Sequence, residues 1–166
     1  MKTGAFGLTI TAALALAACS KKPPETLPPA PGEATAASSV PSGPAPGSQA
    51  DFLAQMNGQD VIYFDTDRYN VDAEDAAALQ TQASWLQRYP QKRATIEGHA
   101  DERGTREYNL ALGERRANAA KNHLVSLGIS SDRLSVVSYG KERPVAIGSN
   151  EQAWARNRRA VTVTVD

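Results

Sequence analysis

The chain has 166 residues, a length that predicts one globular domain with extensions. Its 18 basic and 18 acidic residues cancel, and past residue 50 there are 15 basic against 16 acidic side chains, so no basic field favours nucleic acid as a partner. The single cysteine, Cys19, excludes an internal disulfide and a zinc site of several thiolates.

Residues 1–18 have the pattern of a secretory signal, with a positive start at Lys2 and an apolar run too short to span a membrane. The run ends in Leu16-Ala17-Ala18-Cys19, which resembles the bacterial lipobox, whose cysteine becomes the lipid-modified first residue. We therefore predict lipidation at Cys19, and acyl chains hold a protein on a membrane without a spanning helix. Ser20, in place of an aspartate, implies sorting to the outer membrane. The alternative is an ordinary signal peptide with a chance cysteine.

The segment 19–50 is predicted to be the lipidated cysteine followed by a disordered linker. Eight of the ten prolines fall here, among alanine, serine, glycine and threonine, and there are no aromatic residues. Such a segment cannot bury enough apolar surface to offset the entropy lost on ordering. The globular head is predicted to span residues 51–166.

The head alternates β-prone runs with helical patterns. The predicted elements are a short helix at 51–57, a strand at 61–64, a helix capped by Asp72 that stops before Pro90, a strand at 94–97 ended by Gly98, a long helix from about Thr105 to Gly128, a strand at 134–137, a short helix at 151–157 and a final strand at 161–165.

Helices between strands favour parallel pairing, whereas the last strand alternates valine with threonine, which suits one buried face, one wet face and an antiparallel neighbour. The long helix carries small residues, Gly113, Ala117 and Ala120, on its apolar stripe, which would let it lie close to a sheet. The predicted fold is α+β: a β-α-β-α-β-(short α)-β two-layer sandwich in which a mixed four-stranded sheet has helices on one face.

A candidate site follows the second predicted strand. Asp101 lies in the polar loop His99–Gly104, and Arg116 lies on the helix after it. Ligands of α/β folds gather at the carboxyl end of the strands. An acid and a base converging there suit a ligand that carries an ammonium and a carboxylate together. A structural salt bridge between Asp101 and Arg116 is the alternative.

The segment GHADERGTREYNLALGERRA, followed by VSYGKERP and NRRAV, resembles the OmpA-like peptidoglycan-binding domain over roughly residues 61–165. The lipobox, the linker and the turn YFDTDRY narrow the resemblance to the peptidoglycan-associated lipoproteins. The resemblance implies that the ligand is the diaminopimelate of the peptide stem, with Asp101 accepting from its ammonium and Arg116 pairing with its carboxylate. It implies further pocket residues: Phe64, Asp65, Tyr69, Gly98, His99, Leu112 and Arg158.

The same resemblance implies a second partner, the periplasmic propeller protein TolB of the Tol complex, with Tyr69, Glu102, Arg103 and Thr105 as candidate contacts. It implies an outer-membrane lipoprotein, its head in the periplasm, that tethers the membrane to peptidoglycan and acts in envelope integrity and division. Thr66 and Arg106 depart from the family pattern without touching the binding chemistry. The sequence leaves open whether heads form a weak homodimer.

The sequence leaves two alternative functions: a peptidoglycan hydrolase and a structural lipoprotein without a specific ligand. A hydrolase needs two carboxylates across the scissile bond, whereas the acids near Asp101 are interleaved with Arg103 and Arg106, which would hold their pKa values low. The sequence predicts no enzyme, cofactor or metal. For His99 we expect a hydrogen bond beside the site rather than a metal, and for Arg115 and Arg159 we expect solvated charge.

Overall fold

The computed structural model describes residues 43–165, so the predicted signal, Cys19 and most of the predicted linker lie outside the described residues. In chain order the elements are α1 (Gln49–Met56), β1 (Val61–Tyr63), α2 (Ala73–Arg88), β2 (Arg93–His99), α3 (Arg106–Ser126), a 3-10 turn (Ser131–Arg133), β3 (Leu134–Gly140), α4 (Glu151–Asn157) and β4 (Arg159–Val165). Within this range no helix has the length and apolar character needed to cross a membrane.

The four strands form one mixed sheet in the order β1-β4-β2-β3. β2 and β3 are parallel, while β4 runs antiparallel to both β1 and β2. The last strand of the chain is therefore an interior strand, paired along both edges. The predicted α+β fold, with its mixed four-stranded sheet, is confirmed.

The helix boundaries follow the predicted signals closely. Asp72 caps α2 by accepting a hydrogen bond from the backbone N–H of Asp75 at 2.8 Å, and Thr105 caps α3 in the same way through Tyr108. α4 has the predicted bounds. α1 begins at Gln49 with Ser48 as its cap, so it starts two residues before the predicted head.

β2 is longer than predicted, because it continues through Gly98 and His99, where the prediction placed its end and a loop. Both residues remain paired with β3 across an irregularity in register. Gly98 serves packing here rather than termination. A Cβ added at Gly98 would lie 1.8 Å from the carbonyl oxygen of Gly113, so the backbone of α3 rests directly on the strand.

The face of β4 that lies under the helices carries its threonines rather than its valines. Thr162 donates to Gln82 Oε1 of α2 at 2.7 Å, and the Thr164 hydroxyl donates to Gln49 Oε1 of α1. The Thr164 backbone N–H donates to the same Gln49 oxygen at 2.7 Å. Because each buried hydroxyl finds a partner, threonine is tolerated on the covered face, and the valines lie on the open one.

The apolar core lies between this covered face and helices α1 to α3. It contains the ring of Phe52 packed edge-on against Trp85, with ring centroids 5.0 Å apart. From the sheet it receives Ile62 and Ile96, and from α3 Ala117, Ala120 and Leu124. Gly113, Ala117, Ala120 and Leu124 are buried as the predicted stripe of the long helix requires, and Arg116 is buried on the same side.

Candidate ligand-binding site

A cavity of about 250 Å³ lies where the end of β2 meets the turn after β1 and the first half of α3. Its lining residues are Thr66, Asp67, Asp101, Arg103, Gly104, Tyr108, Asn109, Leu112 and Arg116. The two residues predicted as the charged pair, Asp101 and Arg116, thus lie at one cavity. They make no ion pair with each other among the described residues 43–165, where Asp101 pairs with Arg103 and Arg158 instead.

Asp101 is a buried carboxylate with its oxygens occupied. Arg103 donates to Oδ1 through its backbone N–H at 3.1 Å and its Nε at 3.0 Å, and to Oδ2 through Nη2 at 2.6 Å. Arg158 Nη1 lies 3.5 Å from Oδ2. Burial alone would raise the pKa of Asp101, but the hydrogen bonds from Arg103 outweigh it and leave the pKa below its usual value. The group is therefore ionised at neutral pH.

Arg116 borders the cavity but has no solvent-exposed surface, and it is held by backbone oxygens. Its Nε donates to the carbonyl of Arg68 at 2.9 Å, Nη1 to that of His99 at 2.8 Å and Nη2 to that of Asp65 at 3.0 Å. These contacts use three of the five guanidinium N–H groups and leave one on each terminal nitrogen. Burial lowers the pKa of Arg116 to about 10, so the side chain remains a cation at neutral pH.

Arg158 connects the end of α4 to the site. It donates through Nε to the carbonyl of Phe64 at 2.9 Å and through Nη2 to Glu151 at 2.6 Å. Arg158 thus contacts Asp101 without lining the cavity, and its part in ligand binding stays a prediction. The expectation of solvated charge at Arg159 is wrong: that side chain is buried and donates to the carbonyl of Arg143 at 3.2 Å, and burial lowers its pKa.

Of the other predicted pocket residues, only Leu112 lines the cavity. Phe64 lies behind it, with its ring centroid 5.3 Å from the Arg116 guanidinium, and Asp65 contributes its carbonyl to that guanidinium. Gly98 packs directly against the backbone of α3 at Gly113. Tyr69 is half exposed and lies outside the cavity, in a separate groove beside Arg115.

His99 contributes its backbone rather than its imidazole. Because β2 continues through His99, the His99 imidazole points to the face of the sheet opposite the one on which α3 packs against Gly98. The imidazole is buried near the ring of Tyr139, and neither of its nitrogens has a hydrogen-bond partner in the described part of the chain. The expected imidazole hydrogen bond is therefore absent from that part. Burial, followed by the nearby charges of Arg159 and Arg143, lowers the pKa of His99 to about 4.

Sequence reasoning missed several residues of the cavity. Thr66 and Asp67 belong to the same turn as the predicted Asp65, and Asp67 Oδ1 accepts from the hydroxyl of Tyr108 at 3.0 Å. Tyr108 and Asn109 could have been found from helical spacing, since they precede Leu112 by four and three residues and share its side of α3.

The rim of the cavity is built from the loop between β2 and α3. Arg103 stacks on Trp154 of α4, with its guanidinium carbon 4.2 Å from the ring centroid. The indole N–H of Trp154 donates to Glu102 Oε1 at 3.0 Å, and Lys141 Nζ donates to the carbonyls of Glu102 and Gly104. Glu102, Arg103 and Thr105, predicted as contacts for a protein partner, are all exposed on this rim.

The chain is similar to characterised proteins over most of its length. Residues 63–158 match the OmpA family. A peptidoglycan-associated lipoprotein of Agrobacterium fabrum is 49% identical over 156 residues, which cover 94% of this chain and 85% of that protein. A peptidoglycan-associated lipoprotein of Brucella melitensis is 55% identical over 118 residues, which cover 71% of this chain and 69% of that protein.

Solved structures with a similar fold include a further peptidoglycan-associated lipoprotein. The crystal structure of the peptidoglycan-associated lipoprotein from Burkholderia pseudomallei matches with a TM-score of 0.65 at 45% identity, covering 69% of this chain and all of that one. The C-terminal domain of Helicobacter pylori MotB matches with a TM-score of 0.60 at 18% identity, covering 64% of this chain and 84% of that one. The second likeness concerns the fold alone.

Proposed function

Because this chain belongs to the OmpA family, we propose that it is a peptidoglycan-binding lipoprotein whose head grips an amino-acid centre of the peptide stem without covalent chemistry. The observation that carries the proposal is the position of Asp101 and Arg116 on one cavity of about 250 Å³, with both charges buried. A buried acid and a buried base that do not pair with each other are suited to pair with the two charges of a ligand.

The chemistry of the cavity fits the free end of a diaminopimelate side chain. That end carries an ammonium and a carboxylate on one carbon. The ammonium would donate to Asp101, and the carboxylate would accept from the N–H groups that Arg116 does not use for carbonyls. The cavity is large enough for such a group but too small for a whole disaccharide-peptide. The rest of the stem would therefore lie across the rim.

The protein is a binding protein rather than an enzyme. A glycosidase needs one carboxylic acid with a raised pKa as its proton donor. The buried carboxyl of this cavity, Asp101, has its pKa lowered, and so does the neighbouring Glu102, chiefly through hydrogen bonds from Ser149 and Trp154. Its relatives are named for association with peptidoglycan, not for its turnover.

We extend the proposal to the cellular setting. Lipidation of Cys19 would place the protein on the outer membrane with its head in the periplasm, tethered to the wall. TolB of the Tol complex would bind the exposed rim at Glu102, Arg103 and Thr105, beside the cavity. Exchange between the wall and TolB would then give a movable clamp for envelope integrity and division. Tyr69 lies in another groove and is the weakest of the partner candidates.

Calorimetric titration tests the ligand. The soluble chain from residue 20 onward, titrated with a diaminopimelate-containing muropeptide, is expected to show saturable binding that weakens at least ~10-fold, or ~1.4 kcal/mol, in Asp101→Asn. The substitution keeps the size of the side chain and removes its charge. Asp132→Asn is the matched control, because this exposed acid precedes β3 and lies at the opposite end of the sheet.

Three results are informative. Equal binding by Asp101→Asn and the native chain would refute the site. Release of a cleaved product would favour the hydrolase. No saturable binding by the native chain would favour the structural lipoprotein without a wall ligand, or TolB as the main partner.

A further inference from the structure

Arg103 occupies the carboxylate that the proposed ligand needs. Its backbone N–H and Nε both donate to Asp101 Oδ1, at 3.1 and 3.0 Å, and its Nη2 donates to Oδ2 at 2.6 Å. With Arg158 Nη1 at 3.5 Å from Oδ2, four N–H groups approach the carboxylate. Two carboxylate oxygens accept about four hydrogen bonds, so the acceptor capacity of Asp101 is filled before any ligand arrives.

Arg103 is nevertheless able to leave. Its side chain is 39% exposed, so movement away from Asp101 opens no core. The guanidinium stacks on Trp154, and its Nη2 also lies 3.3 Å from the Thr66 hydroxyl. Trp154 is itself fixed through its hydrogen bond to Glu102. The stacking on Trp154 is already present while Arg103 is bonded to Asp101, and it can keep the cation at the rim of the cavity once those bonds are lost.

The two charges of a ligand contribute differently to this exchange. A ligand that brings only an ammonium replaces one cation on Asp101 with another, and it competes with a guanidinium that is tethered two residues away and thus present at high effective concentration. A ligand that also brings a carboxylate supplies a new anion for the released Arg103 and for Arg116. No guanidinium is then left without a carboxylate, and the exchange is favourable.

We propose that Arg103 is a specificity-determining residue: it excludes ligands that carry an ammonium alone and admits those that carry an ammonium and a carboxylate on one carbon. The inference rests on the proposed function of the cavity and goes beyond it, since it assigns the discrimination to a side chain on the rim. Arg116 alone would strengthen the binding of ligands that carry a carboxylate, whereas Arg103 weakens the binding of ligands that lack one.

The test compares two muropeptides that differ only in the third stem residue, diaminopimelate in one and lysine in the other. The lysine form keeps the terminal ammonium and lacks the carboxylate beside it. Dissociation constants for both are measured by calorimetry with the soluble chain from residue 20 and with Arg103→Gln. We expect the native preference for diaminopimelate to shrink at least ~10-fold in Arg103→Gln, mainly through tighter binding of the lysine form.

The matched control is Arg106→Gln, which removes the same charge three residues on, where the side chain pairs with exposed Glu142 at 3.3 Å. It is expected to keep the native ratio. Arg103→Lys, which retains the charge without the two-point contact, is expected to restore part of the preference. Because the readout is a ratio within one protein, a general loss of folding does not move it.

The failure modes are distinct. If the native chain prefers diaminopimelate and Arg103→Gln keeps that ratio within ~2-fold, the role of Arg103 is refuted while the site stands. If the native chain binds neither muropeptide, the proposed function fails, and the specificity proposal fails with it.

Discussion

Replacing Arg116 with lysine keeps the charge in the cavity and removes the geometry that holds it. The guanidinium reaches three carbonyl oxygens, two in the turn after β1 and one at the end of β2. A lysine ammonium is one point with three donors on a shorter reach, so it can satisfy one of these oxygens or two that lie close together. The others would remain buried without a donor.

The size of the effect follows from those contacts. A hydrogen bond from a charged group contributes about 1.5–3 kcal/mol, and an orphaned buried carbonyl costs about 1–3 kcal/mol. Losing one or two of three such bonds should lower the free energy of unfolding by roughly 2–5 kcal/mol. For a domain with a total stability of about 5–15 kcal/mol this is severe but still measurable. Arg116→Ala would lose all three, so its failure to bind ligand would not separate binding from folding.

Urea denaturation, followed by the fluorescence of buried Trp85, is the appropriate assay. With a urea dependence of about 1–3 kcal/mol per molar, the midpoint should fall by roughly 1–2 M. Arg115→Lys is the matched control, since Arg115 is the adjacent, exposed arginine of α3 and should change stability by less than ~0.5 kcal/mol. A midpoint for Arg116→Lys equal to that of Arg115→Lys would refute the role given to the three carbonyls.

Other predictions concern the support of the site. Burial lowers the pKa of His99 to about 4 in the native chain, against 6.5 for an ordinary histidine. As the pH falls below 6.5, the His99 imidazole is therefore protonated in the unfolded chain before it is protonated in the native chain. The native chain should therefore lose about 2 kcal/mol of unfolding free energy between pH 7.5 and pH 5, and His99→Phe should remove that loss in denaturation curves at the two pH values. Gly98→Ala should lower stability by at least ~2 kcal/mol, since its Cβ would lie 1.8 Å from the carbonyl oxygen of Gly113. Asn157→Ala should speed protease cleavage at residues 145–148 several-fold, since its amide bonds the backbone N–H groups of Val145 and Ala146 and the carbonyl of Ala146.

Each of these changes has a matched control. His123→Phe should keep the native pH dependence, and a native dependence in His99→Phe would contradict the first expectation. Gly43→Ala should be neutral, because no atom lies within 4 Å of its Cβ, and an equally stable Gly98→Ala would contradict the second. Asn118→Ala removes only a hydrogen bond within α3, so it should leave the cleavage rate unchanged, and an unchanged rate in Asn157→Ala would contradict the third.

The parts of the fold that local chemistry determines could be predicted from the sequence. Asp72 marks the start of α2, and Glu151–Asn157 is helical as predicted, because capping and helix signals act within a few residues. The prediction for the end of β2 is wrong because that end is determined by packing against a residue distant in sequence. Gly98 was interpreted as a local stop, whereas its lack of a side chain is required by α3, fifteen residues along the chain.

The candidate site divides in the same way. The rule for strand ends and the family resemblance predicted that Asp101 and Arg116 lie together, and both line one cavity. The position of each arginine around the axis of α3 distinguishes buried Arg116 from exposed Arg115. The contact between Arg103 and Asp101 is local, two residues apart, and agrees with the expectation that Arg103 lowers the pKa of the acids beside it. The stacking of Arg103 on Trp154 was not predictable, because it depends on where α4 lies after folding. Thr66 and Asp67 were missed because the direction of side chains in a turn is set by the elements that pack against it.

The bond from Gln49 to Thr164 matters for how the head would bear mechanical force. A tether pulled from the amino end loads α1 first, and Gln49 passes that load to Thr164 of β4. β4 is hydrogen-bonded to β1 on one edge and to β2 on the other. Asp101, where the ligand would apply its force, follows the end of β2. Under the proposed tethering, tension would therefore reach the interior strand β4, which is paired along both edges, as well as the edge strand β1 that follows α1 in the chain.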